Sequence, residues 1–216
     1  MLKISVCAIF KNEARYLLEW LAFHKLIGVD LFFLYGNGGS DLIGKSDFAR
    51  NVTLIPWSDR PGQLSAYLRV HYALRFTWVA FIDIDEFITP VVGSSIRDIV
   101  LRPVYDPAIL MQWRVFGPSG HHSRPDGLVL ENDTYRMEDH ASTSRHIKSL
   151  VRPEKLVSMD DTPHAAECSG PHCNTRGDPA RPYAIQPTEG HDVMSGEPLL
   201  HQVARGLAGQ GTSRHS

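Results

Sequence analysis

Trp78-Val79-Ala80-Phe81-Ile82-Asp83-Ile84-Asp85-Glu86 is the stretch on which the fold turns. Five apolar residues run straight into three acids. An apolar run this short, rich in aromatic and β-branched residues, reads as a strand buried on both faces. Alternate residues of a strand share a face, so Asp83 and Asp85 are expected to point the same way. Two carboxylates held together repel each other and invite a hard divalent cation. Such a cation would bridge phosphate oxygens and stabilise a departing diphosphate. For the bare pair, a solvated strand end is the plain alternative. Glu86 is expected to face the other side or to begin the next turn.

Outward from this stretch, strands and helices alternate. Residues 3–10 form a short apolar strand, and a helix is expected over 13–27, with Gly28 at its stop. Leu31-Phe32-Phe33-Leu34-Tyr35 is a second buried strand that runs into the loop Gly36-Asn37-Gly38-Gly39-Ser40-Asp41. Val52-Thr53-Leu54-Ile55 is another strand. Pro61 opens a helix to about Arg75, and Ser94 or Ser95 can cap a short helix through Leu101. Residues 108–113 are a further strand. This order predicts an α/β fold with a mostly parallel sheet flanked by helices. Ligands of such sheets sit at the carboxyl ends of the strands, where the Asn37 loop and the Asp83 cluster both lie.

Composition narrows the function. The 216 residues carry a net charge of −2 with 43% hydrophobic residues, and the 22 Lys+Arg are scattered. That balance argues against a nucleic-acid partner, which needs a basic face. Three cysteines make no disulfide framework, and no run of ~18 apolar residues occurs. The expectation is a soluble cytoplasmic protein without a transmembrane segment, with peripheral membrane contact left open. From Ala165 to Ser216, 12 of 52 residues are Gly or Pro and Tyr183 is the only aromatic residue. Residues 1–164 are therefore expected to form the domain, and 165–216 an irregular, partly disordered or shortened acceptor-side tail.

A family resemblance follows the same order. Lys11-Asn12-Glu13, Tyr16-Leu17, Glu19-Trp20-Leu21, His24 and Gly28-Val29 resemble the opening of glycosyltransferase family 92 and its bacterial relatives. Tyr35 to Asp41 resembles that family's first nucleotide loop, Gln63 with Ala66-Tyr67 its second helix, and Trp78 to Phe87 its metal motif. Trp113-Arg114-Val115-Phe116-Gly117, Gly120, Gly127-Leu128-Val129 and Lys148-Ser149-Leu150-Val151-Arg152-Pro153 continue in family order. The match spans about residues 4–164. It implies a GT-A fold and a glycosyltransferase that moves a sugar from a nucleotide-sugar, with UDP-sugar as the expected donor. Mn2+ or Mg2+ would be the cofactor, and a glycan or lipid-linked saccharide the acceptor.

By that resemblance, Lys11, Asn12, Glu13, Asn37, Asp41, Gln63 and Asp83 would line the nucleotide crevice. Asp85 would bind the metal directly, Asp83 would support the ribose or reach the metal through water, and His164 would be the C-terminal metal ligand. An inverting reaction needs a carboxylate base on the acceptor side. Glu131 is the first choice, with Asp126 and Glu86 as competitors. Each has a plain alternative: helix-start or turn chemistry for Glu13, Asn37 and Asp41, and an exposed side chain for His164. Trp113 and Phe116 could stack on a sugar or belong to the core.

Other readings stay open. A run of His164, Cys168, His172 and Cys173 raises zinc, although its spacing does not reproduce a paired Cys-x-x-Cys site. A degenerate, non-catalytic binding protein is the second functional reading, because the His-Tyr and Lys/Arg-Ser blocks expected before His201-Gln202-Val203-Ala204-Arg205-Gly206 are missing. A metal-dependent phosphotransferase is the third, although no Walker-type loop is present.

Overall fold

Parallel pairing radiates from the first strand of the chain. β1 (Ile4–Phe10) pairs in parallel with β2 (Leu31–Gly36) on one side and with β4 (Trp78–Phe81) on the other. β2 in turn pairs in parallel with β3 (Val52–Pro56). The structure is a computed structural model. It describes residues 1–11, 13–36, 50–57, 66–67, 76–90, 95–102, 107–123, 125–138, 146–159, 165–175, 177–180 and 200–205. The strands expected at 3–10, 31–35, 52–55, 78–82 and 108–113 are all present, as is the helix expected at 13–27, here α1 (Ala14–Leu26). Of the helix expected over 61–75, only 66–67 lies within the described residues, and it is helical.

Among the described residues the main sheet has ten strands. Its continuous path is β11-β10-β6-β7-β4-β1-β2-β3, numbered in chain order. The remaining ranges are β5 (Glu86–Pro90), β6 (Ala108–Phe116), β7 (Ile147–Val151), β8 (Leu156–Met159), β9 (Ala166–Cys168), β10 (His172–Asn174), β11 (Pro179–Ala180) and β12 (Leu200–Arg205). The sheet is mixed. β7 lies between β4 and β6 and runs antiparallel to both. β12 pairs antiparallel with β5 and parallel with β6. The Gly- and Pro-rich segment after residue 165 thus supplies β10, β11 and β12 to this sheet, while β9 pairs with β8. Pairing satisfies its backbone groups, and its Ala166, Cys168, His172, Cys173 and Thr175 are buried.

Both faces of the parallel part are covered. Val6, Ala8, Leu17, Trp20, Leu21 and Phe32 pack together on the α1 face. Cys7, Phe33, Tyr35, Tyr67, Val79 and Phe81 pack on the other. The alternation of Val6, Cys7 and Ala8 between the two clusters is the period-two signature of a strand buried on both sides. Each large apolar side chain so buried contributes roughly 1.5–3 kcal/mol.

The exit of α1 is tied to the next short helix, α2 (Ile96–Val100). Ser95 caps α2, with its Oγ accepting from the Arg97 N–H at 3.1 Å and donating to the Ile27 carbonyl at 3.1 Å. Gly28 sits at φ 106°, and a Cβ there would lie 2.7 Å from Ser95 Oγ. Only glycine fits this close approach without strain. Arg97 and Asp30 form an ion pair beside it, and Asp30 Oδ2 accepts from the Ile4 N–H at 2.9 Å.

Candidate active site

The β1–β4 register sets up the site. Cys7 lies beside Phe81, and the Ile82 N–H donates to the Cys7 carbonyl at 3.2 Å. Lys11 and Glu13, after β1, and Ile82 to Glu86, after β4, therefore lie at the same carboxyl edge of the sheet. Glu13 is half-buried, and its Oε2 accepts from the Lys11 N–H at 3.2 Å. Burial raises the Glu13 pKa, the Lys11 N–H pulls it back, and the negative charges of Asp85 and Asp83 raise it further. Glu13 thus stands within electrostatic reach of both aspartates.

The acidic pair is not oriented by strand alternation, as its spacing suggests. β4 ends at Phe81, and Asp83 to Glu86 form a turn. The Glu86 N–H donates to the Asp83 carbonyl at 3.2 Å, and Glu86 Oε2 accepts from the Asp83 N–H at 2.7 Å. This reciprocal bonding competes with the strand ladder and closes the turn. Asp83 and Asp85 are half-buried, while Glu86 is 1% exposed and starts β5. Trp20 of α1 holds this start through Nε1–H, which donates to the Glu86 carbonyl at 2.7 Å.

Lys148 enters from β7 and is the residue that the sequence does not single out. In the β4–β7 register, Ala80 faces Leu150, which carries Lys148 to a place opposite Ile82. Because β7 runs against β4, its first residues reach the same edge as the last residues of β4. The Lys148 ammonium is fully buried, 2.7 Å from Asp83 Oδ2 and 3.4 Å from Glu86 Oε2. Burial alone lowers a lysine pKa, but Glu86 and Asp83 outweigh it and hold Lys148 above its usual value. Burial pushes Glu86 up, and Lys148 pulls it back. Tyr67 adds its hydroxyl, 3.3 Å from the Ile82 carbonyl and 3.4 Å from Asp83 Oδ1. The ring of Trp113 lies 6.0 Å from the Lys148 ammonium and 5.0 Å from the His146 ring. A lone Lys in the apolar run Ile147-Lys148-Ser149-Leu150-Val151 was the available signal, since a buried lysine needs a carboxylate partner.

The other expected site residues separate. Lys11 is exposed at the same edge as Glu13. Asn12, Asn37, Asp41, Gln63 and His164 lie outside the described residues. Glu86 is engaged by Lys148 and by the Asp83 N–H, whereas Asp126 and Glu131 are exposed. Glu131 sits on α3 (Val129–Asn132), whose first N–H groups, those of Val129 and Leu130, donate to the Glu19 carboxylate at 2.8 and 3.0 Å. Trp113 and Phe116 are half-buried. Of the zinc-type run, Cys168 and Cys173 are buried thiols, both pushed up to about 12, chiefly by burial.

The residues present fit a hard divalent cation bound together with phosphate. Glu13 and Glu86 each feel the charges of Asp83 and Asp85, and of these four carboxylates Asp83 and Glu86 contact the Lys148 ammonium. Even with Glu86 protonated, negative charge remains in excess. Among the described residues no group of three or more His, Cys, Asp or Glu could enclose a metal by itself. Magnesium-like ions bound through one or two carboxylates take the rest of their shell from substrate phosphates and water.

Known proteins resemble this chain in sequence. The family model described as Glycosyltransferase family 92 matches residues 2–167. A family 92 protein of Oryza sativa subsp. japonica is 35% identical over 165 residues, covering 71% of this chain and 27% of its own length. One from Ricinus communis is 32% identical over 169 residues, covering 72% of this chain and 30% of its own. The chain thus spans less than a third of the length of these relatives. Among solved structures, S. aureus TarS 1–349 is similar with a TM-score of 0.42 and 14% identity, over 70% of this chain and 47% of that one. No helix among the described residues is long and apolar enough to cross a membrane.

Proposed function

The chain belongs to glycosyltransferase family 92, and we propose that it transfers a sugar from a nucleoside-diphosphate sugar to a saccharide acceptor, with a divalent cation at the Asp83–Glu86 turn. The supporting observation is the grouping of Glu13, Asp83 and Asp85 at one carboxyl edge, with negative charge in excess of the single Lys148 ammonium. Ligands of parallel sheets bind at that edge. Mn2+ or Mg2+ would supply charge neutralisation of the diphosphate.

This chain's residues divide the remaining work. Asp85 binds the cation directly, Asp83 supports the ribose or reaches the cation through water, and His164, expected from sequence, is a further ligand. Glu13, with Lys11 and Asn12, meets the nucleoside, and Asn37, Asp41 and Gln63 complete that crevice. A UDP-sugar is the expected donor and inversion the expected course. The acceptor base is Glu131 or Asp126, because Glu86 is engaged by Lys148 and the Asp83 N–H. Isothermal calorimetry with UDP tests the reading. Binding should need Mn2+ or Mg2+, and Asp85→Asn should weaken it at least about tenfold, or roughly 1.4 kcal/mol. Metal-independent binding, or none, would remove the mechanism. Binding with no transfer or donor hydrolysis would instead mark a non-catalytic binding protein.

A further inference from the structure

The polar group nearest to the buried ammonium of Lys148 is not the buried carboxylate. Nζ lies 2.7 Å from Asp83 Oδ2 and 3.4 Å from Glu86 Oε2. The Asp83 side chain is 31% exposed, whereas that of Glu86 is 2% exposed. A lysine present only to neutralise the interior would sit closest to the interior acid. This one reaches past Glu86 toward the residue at the open edge.

Asp83 is held from three directions. Lys148 takes Oδ2, the Tyr67 hydroxyl lies 3.4 Å from Oδ1, and the Asp83 N–H is fixed by Glu86 Oε2. The lysine itself is anchored in the middle of the sheet, since Lys148 pairs with Met111 of β6. Its strand is buried along its whole length. An ammonium mounted on such a strand cannot follow a carboxylate that moves.

We propose that Lys148 is a positioning residue of the cation–diphosphate site, which holds Asp83 back from the cation so that direct ligation falls to Asp85. The proposal rests on the donor-and-metal reading above and gives the division of labour that the resemblance implies for Asp85 and Asp83 a physical cause in the buried ammonium of Lys148. The protein's own cation occupies Asp83, and that ammonium also repels any ion bound without a diphosphate. Cation binding is thereby made to depend on the nucleotide, whose phosphates overcome the repulsion.

Manganese titrated into the whole chain without nucleotide, followed by the loss of the free-ion electron paramagnetic resonance signal, separates this from a structural role. Lys148→Met should bind Mn2+ about tenfold more tightly than the unaltered chain, because a nearby positive charge is removed and Asp83 is released. The double variant Lys148→Met with Glu86→Gln leaves no buried unpaired carboxylate. It should keep both the fold, checked by circular dichroism, and the tighter Mn2+ binding. In it, UDP should raise Mn2+ affinity several-fold less than in the unaltered chain. Adding Asp85→Asn to the double variant should leave Mn2+ binding through Asp83. Unchanged Mn2+ affinity in a folded double variant overturns the proposal and makes Lys148 a structural counter-ion. An unaltered chain that binds neither Mn2+ nor UDP overturns the functional reading itself, a result the variants do not imitate.

Discussion

His24 and Lys148 are both fully buried ionisable residues, and β5 connects their surroundings through Ile88 and Glu86. His24 belongs to the last turn of α1. Its Nε2 accepts from the Ile88 N–H at 3.2 Å, so Nδ1 carries the proton and donates to the Trp20 carbonyl at 2.8 Å. Its ring lies 4.5 Å from that of Trp20 and stacks near Phe87 at 6.0 Å. Lys148 is charged and held by carboxylates, one of which opens to solvent. The imidazole is neutral, closed on both nitrogens and walled by aromatic rings. The ammonium sits at the base of an edge with charge to spare. Burial of a polar group therefore does not by itself mark a function. What separates the two is whether the group's partners are all internal.

The largest effect that could break this comparison is on stability. Removing one partner of a buried ion pair leaves the other uncompensated, so Lys148→Met should cost about 3–5 kcal/mol in urea unfolding. The added Glu86→Gln should return most of it. A loss no larger than that of an ordinary core substitution would place Lys148 in the same class as His24.

Acid comes next. Burial lowers the His24 pKa to about 4, partly offset by its bond to the Trp20 carbonyl. The unfolded chain binds this proton near pH 6.5 and the folded chain does not, so stability rises with pH across that window. Acidification from pH 6.5 to 4 should remove roughly 3 kcal/mol, and stability should be flat with respect to this group above pH 6.5. Unfolding free energies across the window should show this slope, and His24→Phe should flatten it. An unchanged slope in that variant would mean that another group titrates.

The smallest effect belongs to neither pocket and serves as the control. Glu19→Ala removes the carboxylate that accepts from the Val129 and Leu130 N–H groups, at a cost of about 1 kcal/mol. Thermal unfolding should register it, while Mn2+ binding and the acid slope stay as they are. A change in Mn2+ binding would instead connect α3, and with it Glu131, to the carboxyl edge.

Much of the fold was legible where apolar runs are short and continuous. Ile4–Phe10, Leu31–Gly36 and Trp78–Phe81 need only local pattern to be recognised, and the acids after Phe81 announce the carboxyl edge. Two things were not legible. The position of β7 between β4 and β6 depends on partners some 70 and 40 residues away along the chain, and no periodicity encodes a neighbour. The start of β5 was hidden because Glu86 reads as one more surface acid. Its burial depends on Lys148 and on the Asp83 N–H, both set by tertiary pairing. The resemblance gives Asp83 and Asp85 different roles, and the turn and the lysine supply a physical difference between them.

The placement of β12 has a consequence for synthesis. Its residues pair with Glu86–Pro90 and with Trp113–Phe116, so strands made early wait for one made much later. At about 5–20 residues per second, the chain from Pro90 to Leu200 takes roughly 6–22 seconds to appear. Among the described residues β5 pairs only with β12, so during that interval it carries Glu86 beside a row of backbone groups awaiting partners, the kind of edge that invites foreign strands. The acidic turn at its start also wards off such strands, since like charges of neighbouring nascent chains repel. The same carboxylates proposed to grip a substrate would thus guard the protein while it is being made.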